Sequence, residues 1–84
     1  MGIKFSVHAL FQMREREISQ KEVEKIIKKP EKIFRRSKYR YVAQGKIKFD
    51  GKIFLLRVIY DKINEDKEIV TVYRTSKLRK YLNL

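Results

Sequence analysis

The side chains of this sequence that could do chemistry are one imidazole, five phenols and a surplus of cations. His8 is the single histidine, and its ordinary pKa of about 6.5 suits a general acid or base. Arg57 and Arg74 interrupt apolar runs, and an ionised guanidinium is costly to bury alone, so each must reach an edge, a partner or a ligand. Such groups suit RNA cleavage without a metal, in which the 2′-hydroxyl attacks the adjacent phosphate and cations stabilise the phosphorane.

The charge of the chain is strongly positive and unevenly distributed. The net charge is +12, with 22 basic and 10 acidic residues. Residues 32–60 carry +8 and residues 69–84 carry +4, whereas residues 1–31 carry +2. Such a field attracts nucleic acid, anionic lipid or an acidic protein partner. A high content of Lys, Glu and Ile also fits a thermophile surface, which would explain many charges but not so large an imbalance.

Composition disfavours several classes of site. The chain has no cysteine, which excludes a disulfide, a thiolate nucleophile and a cysteine-based zinc site. Asp61, Glu65, Asp66 and Glu68 fall in or beside a predicted loop, so neither a metal nor another cofactor is expected. No apolar run approaches the ~20 residues that cross a bilayer, and no signal cleavage site is evident. A cytoplasmic location without membrane contact is therefore expected.

The beginning of the chain predicts a short edge strand at residues 2–5 and an amphipathic helix at residues 7–17. Ser6 is the expected N-cap of this helix. The residues expected on its buried face are Val7, Leu10 and Phe11, together with Arg14 or Ile18.

A second helix is predicted at residues 20–29. Ser19 and Glu22 match a capping box, and Pro30 ends the helix. The residues expected on its buried stripe are Val23, Ile26 and Ile27.

The remaining sequence has the alternation of β-strands. Runs at residues 52–60 and 68–73 flank a polar loop in which Asn64 is a turn former. Asp50-Gly51 predicts a type I′ hairpin before the first of these runs.

Strand alternation also predicts which face carries the charge. If Ile47 and Phe49 face the helices, Lys46 and Lys48 point to the opposite, open face, and Arg57 is expected there or at its rim. Tyrosines interleave with these cations and could stack on unpaired bases. Gln44-Gly45, just before these lysines, predicts a bulge or kink.

The predicted fold class is α+β. Two N-terminal helices pack on one face of a three- to four-stranded antiparallel sheet, followed by a short basic C-terminal tail. Eighty-four residues form a single domain, residues 1–84.

Two segments carry motifs of a known kind. The opening fits F-S-x-H-A-x-x-R-M-x-x-R-G-I-S followed by a short helix and a proline; the matching residues are Phe5, Ser6, His8, Ala9, Met13, Arg16, Ile18 and Ser19. The closing segment IVTVYRTSKLRKY combines a strand with a basic, tyrosine-containing tail. Over nearly the whole chain, the sequence resembles a small domain family akin to the RelE-type toxins.

This resemblance implies a RelE-like RNase fold and a toxin-like, metal-independent endoribonuclease. Such proteins cut mRNA, on or off the ribosome, or tRNA, and many are neutralised by a small acidic antitoxin. The implied catalytic residues are His8, Arg57, Tyr73 and Tyr81, and Thr71 is a further candidate. The implied RNA-binding residues are Arg16, Lys46, Lys48, Arg74, Lys77 and Arg79.

The chain departs from the pattern at two positions. Gln12 stands where Arg is frequent, which removes a phosphate ligand if that position is functional, and Glu17 stands where Gly is frequent. Two alternatives to an enzyme stay open. One is a non-catalytic nucleic-acid-binding module of the same fold, and the other is an interaction protein whose basic face docks an acidic segment.

Overall fold

The computed structural model of this protein describes residues 2–82. Its elements in chain order are β1 (Ile3–Phe5), α1 (Val7–Glu15), α2 (Gln20–Lys28), β2 (Lys32–Arg35), β3 (Arg40–Phe49), β4 (Lys52–Ile63), β5 (Asp66–Thr75) and α3 (Leu78–Leu82). The five strands form one sheet in the order β1-β5-β4-β3-β2. Among residues 2–82, no helix has the length and apolarity needed to span a membrane.

The α+β class and the two N-terminal helices are confirmed, but the prediction of a three- to four-stranded antiparallel sheet is corrected. β1 adds a fifth strand, and it pairs parallel with β5 through Ile3↔Lys67 and Phe5↔Ile69. Because Ile3 and Phe5 pack against the core, burial favours adding this short strand to the sheet. The sheet is therefore mixed.

α1 begins where the sequence predicts, but it buries a different face. The Ser6 side chain accepts a hydrogen bond from the Ala9 N–H at 3.0 Å, which confirms the N-cap. Three of the expected inward residues are exposed, at 86% for Val7, 41% for Leu10 and 61% for Phe11, whereas Ile18 is buried. Ala9 and Met13 are buried instead. This rotation of the helix follows from two hydrogen bonds to β5, which turn Gln12 and Arg16 toward the sheet.

α2 agrees with the prediction. Ser19 and Glu22 form the capping box through hydrogen bonds of 2.9 and 3.1 Å. The buried residues are Val23, Ile26 and Ile27. The strong stripe of branched side chains fixes which face turns to the sheet.

The turns of the sheet also agree with the sequence. Asp50 and Gly51 have φ angles of 53° and 77°, as a type I′ turn requires. Asn64, at the β4–β5 turn, has a φ of 57°, and asparagine tolerates this left-handed conformation better than most residues.

The predicted bulge at Gln44-Gly45 is wrong, because the register between β3 and β4 is continuous there. The irregularity lies instead between Ile59 and Tyr60, in the pairing of β4 with β5. Gly45 has a packing role, since a Cβ added to it would lie 2.8 Å from Cδ1 of Ile26. The glycine thus lets α2 approach the sheet.

The two faces of the sheet are covered differently. α1 and α2 cover one of them, here called the α1–α2 face, and the main core lies there. This core contains Ala9, Met13, Ile18, Val23, Ile26, Ile27, Ala43, Leu56, Val58, Tyr60, Ile69 and Val72. The basic tail forms α3 on the opposite face, here called the α3 face, where the Tyr81 carbonyl accepts a hydrogen bond from Gln44 Nε2 at 3.0 Å. The face that was expected to be open is therefore partly covered.

Candidate functional site

The central side chains of the α3 face come from three adjacent strands. Gln44 on β3 lies opposite Arg57 on β4, and Arg57 lies opposite Tyr73 on β5. Directly paired residues of antiparallel strands point to the same face, so these side chains form a row across the sheet. Tyr81 on α3 lies over the row. Gln44, Arg57, Tyr73 and Tyr81 are called the Arg57 cluster below.

Arg57 is held by polar and aromatic contacts within this cluster. Its Nε donates to Gln44 Oε1 at 3.0 Å, and its Nη1 donates to the Tyr73 hydroxyl at 2.6 Å. The guanidinium carbon lies 4.2 Å from the centre of the Tyr81 ring, which places the cation over the aromatic face. The prediction that Arg57 points away from the helices is confirmed, and the contacts fix its orientation.

Arg57 is buried without a carboxylate partner. Its exposed fraction is 6%, and the ion pairs among residues 2–82 are Lys4–Asp66 and Arg40–Asp61. A buried cation without a counter-ion retains much of its attraction for an anion, because neutral dipoles compensate its charge only in part. The guanidinium is thus suited to a phosphate or a phosphorane.

The Arg40–Asp61 pair shows the contrasting arrangement at the other end of the sheet. Arg40 donates to both carboxylate oxygens of Asp61, at 2.6 and 2.9 Å. This hydrogen-bonded pair lowers the pKa of Asp61. Its charge is matched inside the protein, so it leaves no cation for a ligand.

The phenol of Tyr81 ionises more readily than an ordinary tyrosine. Interaction with the Tyr73 hydroxyl, helped by the positive charges of Lys80 and Arg57, lowers the pKa of Tyr81 below its ordinary value of 10.0. The Tyr73 oxygen already accepts a hydrogen bond from Arg57. Tyr73 and the nearby cations thus favour the phenolate form of Tyr81, which could act as a general base.

Further cations surround the Arg57 cluster. Lys46 and Lys48 follow Gln44 on alternate positions of β3 and are exposed on the α3 face, as predicted. Lys77 and Arg79 are exposed in the segment that leads into α3 and in its first turn. These side chains give a polyanion several contacts beside the buried guanidinium.

His8 does not join this cluster. It is exposed on α1, which packs against β5 from the α1–α2 side. Within residues 2–82, no hydrogen bond, ion pair or ring contact links His8 to Arg57, Tyr73 or Tyr81. Its catalytic role stays a prediction.

Arg16 and Gln12 have a structural contact that the sequence did not reveal. Gln12 Oε1 accepts a hydrogen bond from the Val72 N–H at 2.9 Å, and Arg16 Nη1 donates to the Val72 carbonyl at 3.0 Å. The two side chains, one helical turn apart, cover the outer edge of β5 beyond the end of β1. An arginine at position 12 could not accept the first bond.

Arg74 points to the α1–α2 face, because it follows Tyr73 in an extended strand. Its guanidinium carbon lies 3.6 Å from the centre of the Phe49 ring. The two arginines that interrupt the apolar strands therefore lie on opposite sides of the sheet.

The sequence did not reveal the roles of three residues at these sites. Gln44 was read as part of a bulge, although it alternates with Lys46 and Lys48 on one strand face. Gln12 was read as a lost phosphate ligand. Phe49 was considered only as a residue that could face the helices, and nothing in the local pattern indicates that it stacks on an arginine from a strand two positions away in the sheet.

Comparison with known families gives one match. The model of a domain of unknown function (DUF4258) matches residues 5–74 of the chain. The matched segment runs from the end of β1 to Arg74. No curated protein and no solved structure matches the chain.

Proposed function

The chain belongs to the DUF4258 domain family, and from that premise we propose that it is a toxin-like, metal-independent endoribonuclease of RelE-like type, held inactive by a small acidic antitoxin. The substrate is RNA, with mRNA on the ribosome as one form. The Arg57 cluster is the proposed catalytic centre.

One observation carries this proposal. Arg57 is 6% exposed and has tyrosine and glutamine, rather than a carboxylate, as hydrogen-bond partners. Arg40, by contrast, is neutralised by Asp61. A preorganised cation in a partly dehydrated site stabilises the extra negative charge of a phosphorane more strongly than a solvated one.

The chemistry can be written with residues of this cluster and one neighbouring lysine. The Tyr81 phenolate accepts the proton of the 2′-hydroxyl, whose oxygen attacks the adjacent phosphorus. Arg57 stabilises the phosphorane, and a lysine ammonium such as that of Lys46 protonates the departing 5′-oxygen. The products are a 2′,3′-cyclic phosphate and a free 5′-hydroxyl. The Tyr73 hydroxyl favours the phenolate form of Tyr81.

A single-stranded polymer suits this surface for electrostatic reasons. The net charge is +12, and Lys46, Lys48, Lys77 and Arg79 are exposed around the cluster. Phosphates of one RNA chain can contact several of these cations at once. The same field supports an acidic antitoxin as the natural inhibitor, because it would compete with RNA for these cations.

A non-catalytic RNA-binding module of the same fold is the second candidate. The small exposed fraction of Arg57 and the cover provided by α3 favour it, because a buried arginine can also serve to anchor the tail. In that case Arg57 holds α3 in place, and exposed cations alone bind RNA.

Incubation of the purified full chain with end-labelled RNA in EDTA separates the two. Cleavage that leaves 2′,3′-cyclic phosphate ends supports the enzyme. Binding without cleavage, both for free RNA and in a ribosome-based translation assay, supports the binding module and contradicts the enzyme.

A matched charge control accompanies this assay. Lys21→Ala removes an exposed cation on α2, and Arg57→Ala removes the buried one. Equal small losses of RNA affinity, with no cleavage by either protein or by the wild type, contradict a catalytic Arg57.

A further inference from the structure

A second cationic and aromatic cluster lies on the α1–α2 face, at the tip of the β3–β4 hairpin. The Arg74 guanidinium carbon is 3.6 Å from the Phe49 ring centre and 6.0 Å from the Phe54 ring centre. The two rings are 6.2 Å apart, with an interplanar angle of 69°. Phe49, Phe54 and Arg74 are called the Arg74 cluster below.

This cluster lies beyond the cover of the helices. Each of its three side chains is partly exposed, and none belongs to the main core. Lys52 is exposed beside it, paired with Phe49 across the hairpin and therefore on the same face. The tip thus presents two aromatic rings, a stacked guanidinium and a free ammonium together.

Arg74 has an unmet hydrogen-bonding capacity. Its Nη1 atom is buried and has no hydrogen-bond partner in the described part of the chain. The two ion pairs of that part use other cations. An unpaired buried donor in a charged group is unusual, and an ordered water or a bound ligand would satisfy it.

The chemistry of the cluster favours a nucleic-acid base with its phosphate. Aromatic faces and guanidinium planes both stack on bases, and this stacking tolerates any sequence. Base carbonyls and phosphate oxygens can accept hydrogen bonds from Arg74, and the Lys52 ammonium attracts the phosphate. A duplex base is already stacked, so the fitting ligand is single-stranded.

We propose that the Arg74 cluster is a stacking subsite for an unpaired base of single-stranded RNA. It rests on the proposed function only in naming RNA as the polymer. Because the lysines of β3 and the Arg74 cluster occupy opposite faces of one hairpin, a single strand that passes over the tip contacts both. The subsite would hold RNA beside the point of cleavage without taking part in the chemistry.

The test measures binding separately from cleavage. The probe is a short, fluorescein-labelled 2′-O-methyl oligouridylate, which has no free 2′-hydroxyl and so cannot be cut. Phe49→Leu and Phe54→Leu should each weaken its binding to the full chain by about tenfold, as loss of one stacked base predicts. The dependence of affinity on salt should stay unchanged, because no phosphate contact is lost.

Two variants of the same hairpin serve as controls. Ile53→Ala removes an exposed apolar side chain from the opposite face and should leave the affinity as in the wild type. Lys52→Ala should weaken binding and reduce the salt dependence by about one charge. Wild-type affinity in both phenylalanine variants overturns the subsite.

Photocrosslinking of the wild-type protein covers the case in which a phenylalanine variant does not fold. Oligouridylate that contains 4-thiouridine should crosslink at Phe49 or Phe54, as mapped by mass spectrometry. Crosslinks confined to the α3 face overturn the subsite. A second outcome also overturns the subsite: the phenylalanine variants lose binding of a polyglutamate peptide but keep RNA binding. That result would assign the cluster to an acidic protein partner.

The outcomes distinguish the two proposals. Stacking with no cleavage of ordinary RNA removes the endoribonuclease and retains the subsite. Cleavage of ordinary RNA, with wild-type binding in both phenylalanine variants, retains the endoribonuclease and removes the subsite.

Discussion

Tyr73 and Arg74 are neighbours in the sequence, yet they belong to two clusters in which the arginine has different surroundings. On the α3 face, Arg57 is enclosed by a tyrosine hydroxyl, a glutamine oxygen and a tyrosine ring. On the α1–α2 face, Arg74 lies between phenylalanine rings that offer no acceptor. The first environment orients a cation and activates a phenol, whereas the second leaves a donor unpaired. The contrast fits the proposals of chemistry on one face and recognition on the other.

Removal of each arginine in turn gives the largest expected difference. Arg57→Ala should lower the RNA cleavage rate by about 10²- to 10³-fold, because the phosphorane loses its buried cation. Arg74→Ala should instead weaken binding of uncleavable RNA and leave the rate with saturating RNA nearly unchanged. Single-turnover cleavage and fluorescence anisotropy measure the two effects. Equal losses of rate in both variants would show that the clusters do not have separate roles.

Removal of the Tyr73 hydroxyl should act only on the α3 face. In Tyr73→Phe the hydroxyl whose interaction favours ionised Tyr81 is absent, so the pKa of Tyr81 should rise. The phenolate then forms at higher pH, and the rising limb of the pH–rate profile should shift in the alkaline direction. Ultraviolet difference titration against Tyr81→Phe follows the phenol directly. A limb at the wild-type pH excludes Tyr81 as the base.

Gln12 supports both clusters through the backbone that precedes them. Gln12→Arg leaves the Val72 N–H without its acceptor and should lower the free energy of unfolding by about 1–2 kcal/mol. Gln12→Glu keeps an acceptor and should lose less. Urea unfolding measures the difference. If Gln12→Arg is as stable as the wild type, the contact at the β5 edge has little weight.

Glu17 touches neither cluster and should give the smallest effect. It has a φ of 55°, a conformation that favours glycine. Glu17→Gly should raise the free energy of unfolding by about 1 kcal/mol, while cleavage and RNA binding stay at their wild-type values. Thermal unfolding of the two proteins provides the measurement. A lower midpoint for the variant would contradict the assignment of strain to this residue.

Local elements were predictable where a residue type strongly prefers one backbone conformation or one environment. The capping box at Ser19, the turn at Asp50-Gly51 and the branched stripe of α2 each depend on neighbours within a few positions. The orientation of Lys46, Lys48 and Arg57 followed from strand alternation alone.

The failures have a common physical cause, which is contact between distant segments. The rotation of α1 depends on Val72, a residue that no local pattern of α1 reveals. β1 was expected as an edge strand, but its parallel partner could not be inferred from three residues. The Arg57 cluster needed β3, β4, β5 and the tail together, so the sequence identified its charges but not Gln44, which joins them.

The pairing of β1 with β5 has a consequence for synthesis of the chain. Residues 3–5 leave the ribosome well before their strand partners, residues 67–69. The sheet therefore cannot close until β5 has emerged, and contacts of such long sequence separation slow folding. A nascent chain would expose its cations before it has a completed sheet. An acidic binding protein present during translation could then engage the chain before it matures.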